Sequence, residues 1–450
     1  MKNGGGTMHP LDTFDGAQRS AALGALIRNE GSGDAVGEDV NMHMHSFFSY
    51  NAEGWSPSHL VWAAHEAGFY SAGLCDFDVL DGLEEFFAAG RAVGLRTAVH
   101  LETRAYFSEY ANDDISSPGE PGVTYIMGGG FPRVPEAGSQ QERQLTGFRD
   151  GARSRNEELV ARLNEKIPDI ALDYAGDVLP LTPSGNATER HIISAYVNRA
   201  EEVFDSPERL AAFWSDLLER ERAEVEGLLQ DRPALEEAVR SRLAKRGGLG
   251  YVPPSADTFP PVEEFLAWVA SCDAIPMITW LDGTSGGEAD PREMCEYLAA
   301  KGAGALNIVP DRNWNISDPA ARAVKIGNLK AIVNVAVDMG LPINIGTELN
   351  KLGLPFVDDL EGEVLREFKD VFLTGARIMV GHTLLARYAA FPYMGTAAVA
   401  EFNDVTGRNS FFEAVGALSA LSDAQSDLLE EIGPERALSW FRDTVKSLSA

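Results

Sequence analysis

The chain has 450 residues, 44% of them hydrophobic and 24% charged, so it can bury a large core and is not globally disordered. Its 68 acidic and 38 basic side chains give a net charge of −30, which argues against nucleic acid or an anionic membrane as the main partner. The three cysteines, Cys75, Cys272 and Cys295, show no Cys-x-x-Cys spacing, which excludes a disulfide framework and a zinc ribbon and points to a cytoplasmic setting.

Residues 1–37 read as a flexible arm with loose points at Gly4-Gly5-Gly6 and Gly31-Ser32-Gly33, and order is expected from about Val40. They lack the apolar core of a signal peptide, and no apolar run reaches the ~18 residues of a membrane span. Strands are then expected at Ser71–Cys75, Leu95–Leu101, Ala274–Leu281, Ala305–Val309, Leu341–Gly346 and Arg377–Val380. Helical patterns fall between them, at Ser58–Ala67, Gly82–Ala92, Pro291–Ala300, Ala320–Asp338 and Glu363–Phe372. Strands alternating with such helices imply a parallel sheet, here an α/β barrel. Residues 105–260 interrupt the rhythm with few strand signals and three helical stretches, Glu157–Lys166, Pro207–Gln230 and Pro233–Arg246. They read as an insertion over the core or as a separate helical domain. The barrel is expected from 38–104 and 261–395, and C-terminal helices from 396–450. The apolar spacing of those last helices suits either packing on the barrel or self-association into a homo-oligomer.

His43-Met44-His45 is the strongest chemical signal. On a strand the two imidazoles project from one face, as a metal site requires. Further titratable groups sit at or beyond expected strand ends: Asp76 and Asp78, Glu102, Asp282, Asp311, Glu348 and His382. Strand ends ring the active face of an α/β barrel. His100, two residues before Glu102, suits either the same site or a buried structural role. His9, His59 and His65 read as incidental. Arg190, Arg312, Lys351 and Arg104 flank these positions and suit an anionic small-molecule substrate, as do the polar loops 310–315 and 347–351, the latter with Glu348 and Asn350. Gly128-Gly129-Gly130 lacks the strand–helix context of a phosphate loop.

His43-Met44-His45-Ser46, Asp76-Phe77-Asp78 with Asp81-Gly82-Leu83, and His100-Leu101-Glu102 together resemble the PHP (polymerase and histidinol phosphatase) family. Glu189-Arg190-His191-Ile192 is similar to its Arg-Pro-His-Ile motif, and Gly381-His382 to its terminal Ser-Asp-x-His. The resemblance implies a distorted (β/α)7 TIM-like barrel, here with a large mostly helical insertion and C-terminal helices, and a metal cluster that hydrolyses phosphate esters. It implies His43, His45, Asp76, Glu102, His191 and His382 as ligands, Glu102 as the bridging carboxylate, and His382, His191 and Asp76 as the catalytic candidates. The chain departs from the pattern at Tyr50, Phe77, Val380 and Trp280. Phe and Val cannot ligate, so one or two divalent ions (Zn, Mn or Fe) are expected, with Asp282 or Glu348 as alternative ligands. The expected function is a metal-dependent phosphoesterase. The alternatives are an amidohydrolase-like hydrolase, a metal-dependent sugar isomerase, or an inactive barrel that binds a ligand or partner.

Overall fold

A computed structural model describes residues 8–30 and 36–449. Seven strands form one sheet in chain order: β1 (Val40–Met44), β2 (Ser71–Phe77), β3 (Arg96–Tyr106), β4 (Val123–Gly129), β5 (Ile275–Trp280), β6 (Ala305–Ile308) and β7 (Ile343–Ile345). Neighbours run parallel except β4, which is antiparallel to both β3 and β5. The sheet nearly closes on itself. Beyond β7, the Glu348 N–H donates to His43 C=O at 2.7 Å and the His45 N–H donates to Glu348 C=O at 2.9 Å. The molecule is a distorted seven-stranded α/β barrel with a helical insertion. Strand β1 is buried at every position, as expected where helices cover the outside and side chains fill the inside.

Helix α1 (Gly16–Glu30) precedes the barrel, and α2 (Pro57–Glu66) and α3 (Leu83–Val93) follow β1 and β2. Ser56 caps α2 ahead of a proline at its first position, and Gly94 ends α3 at φ +71°. The described part of the N-terminal segment is not a loose arm. Arg19 of α1 bonds Glu85 of α3 and lies over the Phe47 ring, and Leu23 is buried. The glycines at 4–6 and 31–33 lie outside the described residues.

The insertion follows β4 and comprises α4 (Gln140–Lys166), α5 (Glu189–Val203), α6 (Pro207–Leu218), α7 (Arg222–Leu228) and α8 (Arg232–Leu243). It has a core of its own around Trp214, Tyr196 and Leu163. Helix α4 joins the two cores: Leu145 and Phe148 pack into the barrel core, Leu159 and Leu163 into the other. The stretch read as one helix over 207–230 is two, broken where Glu219 takes φ +54°. Residues 105–260 also carry barrel wall, since β3 runs to Tyr106 and β4 lies wholly within them. The glycines at the end of β4 disguised that strand. A Cβ on Gly128 would meet Phe131 at 2.7 Å, and one on Gly129 would meet Met277 at 2.8 Å, so close approach of neighbouring side chains selects glycine there.

After α9 (Val262–Ser271) the barrel completes with α10 (Pro291–Ala300), the short α11 (Asp311–Trp314), α12 (Pro319–Met339) and α13 (Lys369–Ala389). Helices α14 (Thr396–Glu401), α15 (Val405–Gly416), α16 (Asp423–Ile432) and α17 (Pro434–Ser449) follow; α15 and α17 pack on α13, and α16 packs on α17. The expected strand Arg377–Val380 lies inside α13. Ile378, Met379 and Val380 are all buried, because α13 is covered by the barrel on one side and by α15 on the other. A helix buried all round loses its amphipathic period, so a short apolar run from it reads as a strand. Of the expected helix Glu363–Phe372, only the part from Lys369 is α-helical. Among the described residues no helix is long and apolar enough to cross a membrane.

Candidate metal centre

The side-chain alternation of β1 and β3 builds the site. His43 and His45 share one face of the chain leaving β1, and His100, Glu102 and Arg104 share one face of β3. Both faces turn into the barrel. Nε2 of His43 and Nε2 of His45 each lie 3.4 Å from Glu102 Oε2, and the three residues are 0%, 0% and 2% exposed. None of these three atoms has a hydrogen-bond partner. They form a buried group in which each residue offers one ligand atom, all within 4.8 Å of one another. Burial pushes the Glu102 carboxyl up, but His43 and His45 beside it hold it down, to about 2. For His43, burial works against the charged form, and Glu102 and Glu348 outweigh it, so its pKa is raised. The pocket therefore favours positive charge.

Hydrogen bonding at the second ring nitrogen decides which histidines are free to ligate. Ser49 Oγ donates to Asp76 Oδ1 at 2.7 Å, leaving it only a lone pair for His45 Nδ1, 3.3 Å away. His45 therefore carries a proton on Nδ1, and Nε2 is the nitrogen left to ligate a metal beside Glu102. Asp76 spends its oxygens on this chain and on Ser46, whose N–H and Oγ donate at 2.8 and 2.7 Å. Burial raises the Asp76 pKa against these bonds. Asp76 thus orients a ligand and does not present a free oxygen itself. His45 also stacks on Phe77, with ring centroids 4.5 Å apart. The Phe77 ring therefore braces the His45 imidazole. Ser49→Ala and Asp76→Asn should each weaken metal affinity about 10–100-fold with the fold intact, read by competition with a chromogenic chelator. Unchanged affinity in both variants would remove this role.

His100 and His382 follow the opposite logic. Nδ1 of His100 accepts from Gly130 N–H at 3.1 Å, and Nδ1 of His382 from Tyr393 N–H at 3.0 Å. Each ring then carries its proton on Nε2. Burial pushes both pKa values down to about 3, and His43 and His382 nearby add to the effect on His100. Both are neutral donors, unsuited as they stand to ligation. His382 comes from inside α13, not from a strand end.

The structure does not bring the other expected site residues into this ligand group. His191 lies in the first turn of α5. Its Nδ1 accepts from Thr188 N–H at 3.1 Å, its ring meets the Tyr50 edge at 5.2 Å, and burial pushes its pKa to about 4. Arg190, His191, Asn350 and Lys351 line a separate cleft between the barrel loops and the insertion. Glu348 and Arg312 pair with each other, and Asp282 pairs with Lys325 at 2.7 Å, so neither carboxylate is an open ligand. Glu348 and Leu349 have φ of +65° and +57°, and Leu349 N–H closes a three-residue turn onto Thr347 C=O at 2.8 Å. Left-handed backbone at non-glycine residues costs roughly 1–3 kcal/mol each and concentrates at functional sites.

Three cations stand on this side of the barrel. Arg312 interacts electrostatically with Glu102 and Tyr125, and Arg104 stands opposite Tyr125 on β4. Arg155 of α4 lies beside them, and it and Arg104 sit over the Phe259 ring at 4.5 and 4.6 Å. Arg104 pairs with Glu120 at 3.0 Å, whereas Arg155 bonds Thr258 C=O at 3.0 Å and interacts electrostatically with the Asp78 carboxylate, without a direct ion pair among the described residues. Burial pushes the Arg155 pKa down to about 10. Arg155 had no signal in the sequence, because it lies among several arginines of an exposed-looking helix.

No family profile matches the sequence, and no curated protein does. Among solved structures, the chain is similar to a candidate metal-dependent phosphoesterase from Bifidobacterium adolescentis, at 18% identity and a TM-score of 0.46, over 75% of this chain and 98% of that one. It is also similar to an amidohydrolase from Chromobacterium violaceum with bound sulfate and no metal, at 16% identity and a TM-score of 0.47, over 74% of this chain and 96% of that one.

Proposed function

We propose that the chain is a metal-dependent hydrolase acting on a phosphate ester of a small anionic metabolite. The observation that carries this reading is the convergence of His43 Nε2, His45 Nε2 and Glu102 Oε2, three buried atoms without partners. Two imidazoles and one carboxylate form a donor set typical of catalytic zinc and related ions, with coordination positions left for water and substrate. A divalent ion held there supplies Lewis acidity and lowers the pKa of a bound water. The residues themselves fit one ion better than two, because His100 and His382 are donors and Asp76 is occupied by serines.

The phosphoester reading rests on the cationic rim. Arg312, Arg104 and Arg155 orient an anionic group over the cluster, and Arg155 is the one without a direct ion pair, facing Asp78 only through electrostatics. An amide or free-sugar substrate would bring no anionic group of its own to these guanidiniums. The test is metal analysis of protein purified without chelator, then turnover of phosphomonoesters, phosphodiesters, amides, lactones and free sugars by the metal-loaded chain. Stoichiometric metal with phosphoester turnover is expected, and Arg155→Ala should raise KM about tenfold or more with a smaller change in kcat. Turnover confined to amides or sugars would reassign the reaction, and absence of metal after loading would overturn the reading.

A further inference from the structure

We infer that the chain has a second anion-binding site, separate from the metal centre, in the cleft between the barrel loops 47–54 and 350–353 and helices α5 and α8. The cleft encloses about 880 Å³, within the range of small-ligand sites. Its lining includes Tyr50, Arg190, His191, Asn350 and Lys351, all side chains able to donate. Thr188 N–H occupies His191 Nδ1, which puts the imidazole proton on Nε2. The Tyr50 ring ties the group together, edge-on to His191 at 5.2 Å and 5.5 Å below the Arg190 guanidinium.

Formal charge in the cleft is balanced, so the argument turns on which charges are already used. Arg232 is committed to Glu236 at 2.9 Å and to Asn198, and Arg220 to Glu224 at 2.7 Å. Asp231 caps α8 through Ala234 N–H. Glu237 is shared by Arg240 at 3.4 Å and Arg190 at 3.6 Å, and the second contact makes no hydrogen bond. Lys351, Asn350 and the Tyr50 hydroxyl have no partner among the described residues. What remains without a close partner is mostly donor capacity, with Arg190 and Lys351 as its cations and Glu53, Asp231 and the loosely held Glu237 as the opposing carboxylates. The half-buried Arg190, held over Tyr50 with one distant carboxylate, is desolvated at a cost that a bound anion would offset. The ligand chemistry that fits is a phosphate or carboxylate group of a small molecule, bound by charge-assisted hydrogen bonds.

The site is tested by calorimetric titration of inorganic phosphate into the full chain carrying His43→Ala and His45→Ala, so that the metal centre makes no contribution. One equivalent should bind, and adding Arg190→Ala and Lys351→Ala should weaken it at least tenfold. Lys351→Ala alone, in an exposed loop where the fold does not depend on it, should weaken binding several-fold. Absence of binding, or the same affinity with and without these substitutions, would overturn the inference. Its outcome is independent of the metal centre, because a chain that holds no metal but binds phosphate here would lose the hydrolase reading and keep this one.

Discussion

Replacing His43 and His45 together with alanine should reduce bound metal from about one equivalent per chain to under a tenth, and hydrolysis by about a thousandfold or more, an effect worth ~4 kcal/mol. The two imidazoles supply two of the three free ligand atoms, and Glu102 alone cannot hold a divalent ion against water. The double variant should fold but lose stability, for a reason specific to this site. Glu102 is 2% exposed, and the two histidines are what hold its carboxyl down. Without them a buried carboxylate stands unpaired, a situation that costs about 3–5 kcal/mol. Adding Glu102→Gln to the double variant removes that charge and should recover much of the loss in urea unfolding. Full metal retention in the double variant would overturn the ligand assignment, and a triple variant no more stable than the double would overturn the electrostatic account.

The parts of this centre legible in the sequence were those fixed by local period. His43-x-His45 and His100-x-Glu102 lie on strands, where alternation alone puts both members on one face. What sequence could not show is which nitrogen of each ring is free, because that depends on groups from distant segments: Ser49 and Asp76 for His45, Gly130 for His100, Tyr393 for His382. Six strand stretches were expected besides the His43–His45 strand; five of them and that strand are present, and the seventh strand differs. Strand β4 was hidden by its glycines and by lying in a segment dominated by helices, and the run at 377–380 took its place in the reading. Arg155 was out of reach for a different reason. Its position depends on how far α4 extends past the barrel core, and no spacing within α4 records that.

Gly381→Ala and Gly416→Ala should each destabilise the protein by about 3 kcal/mol, although helix propensity alone favours alanine by about 1 kcal/mol. A Cβ on Gly381 would stand 2.0 Å from Phe412 C=O, and one on Gly416 would stand 1.8 Å from Arg377 C=O. Helices α13 and α15 therefore cross backbone to backbone, and neither carbonyl can move without breaking its own helix. Gly375, earlier on α13, makes the same kind of approach to Ile343 C=O of β7 at 1.9 Å. These contacts give Gly381-His382 a meaning other than a family metal motif: the glycine permits a helix crossing, and the histidine accepts the N–H of Tyr393 beyond the end of α13. His382→Ala follows from the same geometry. It should leave that buried N–H without an acceptor and lower stability by roughly 1–3 kcal/mol, yet keep one equivalent of metal. Metal loss in His382→Ala equal to that of the His43/His45 variant would return His382 to the ligand set. Glycine variants as stable as the parent would show that α13 and α15 do not meet in this way.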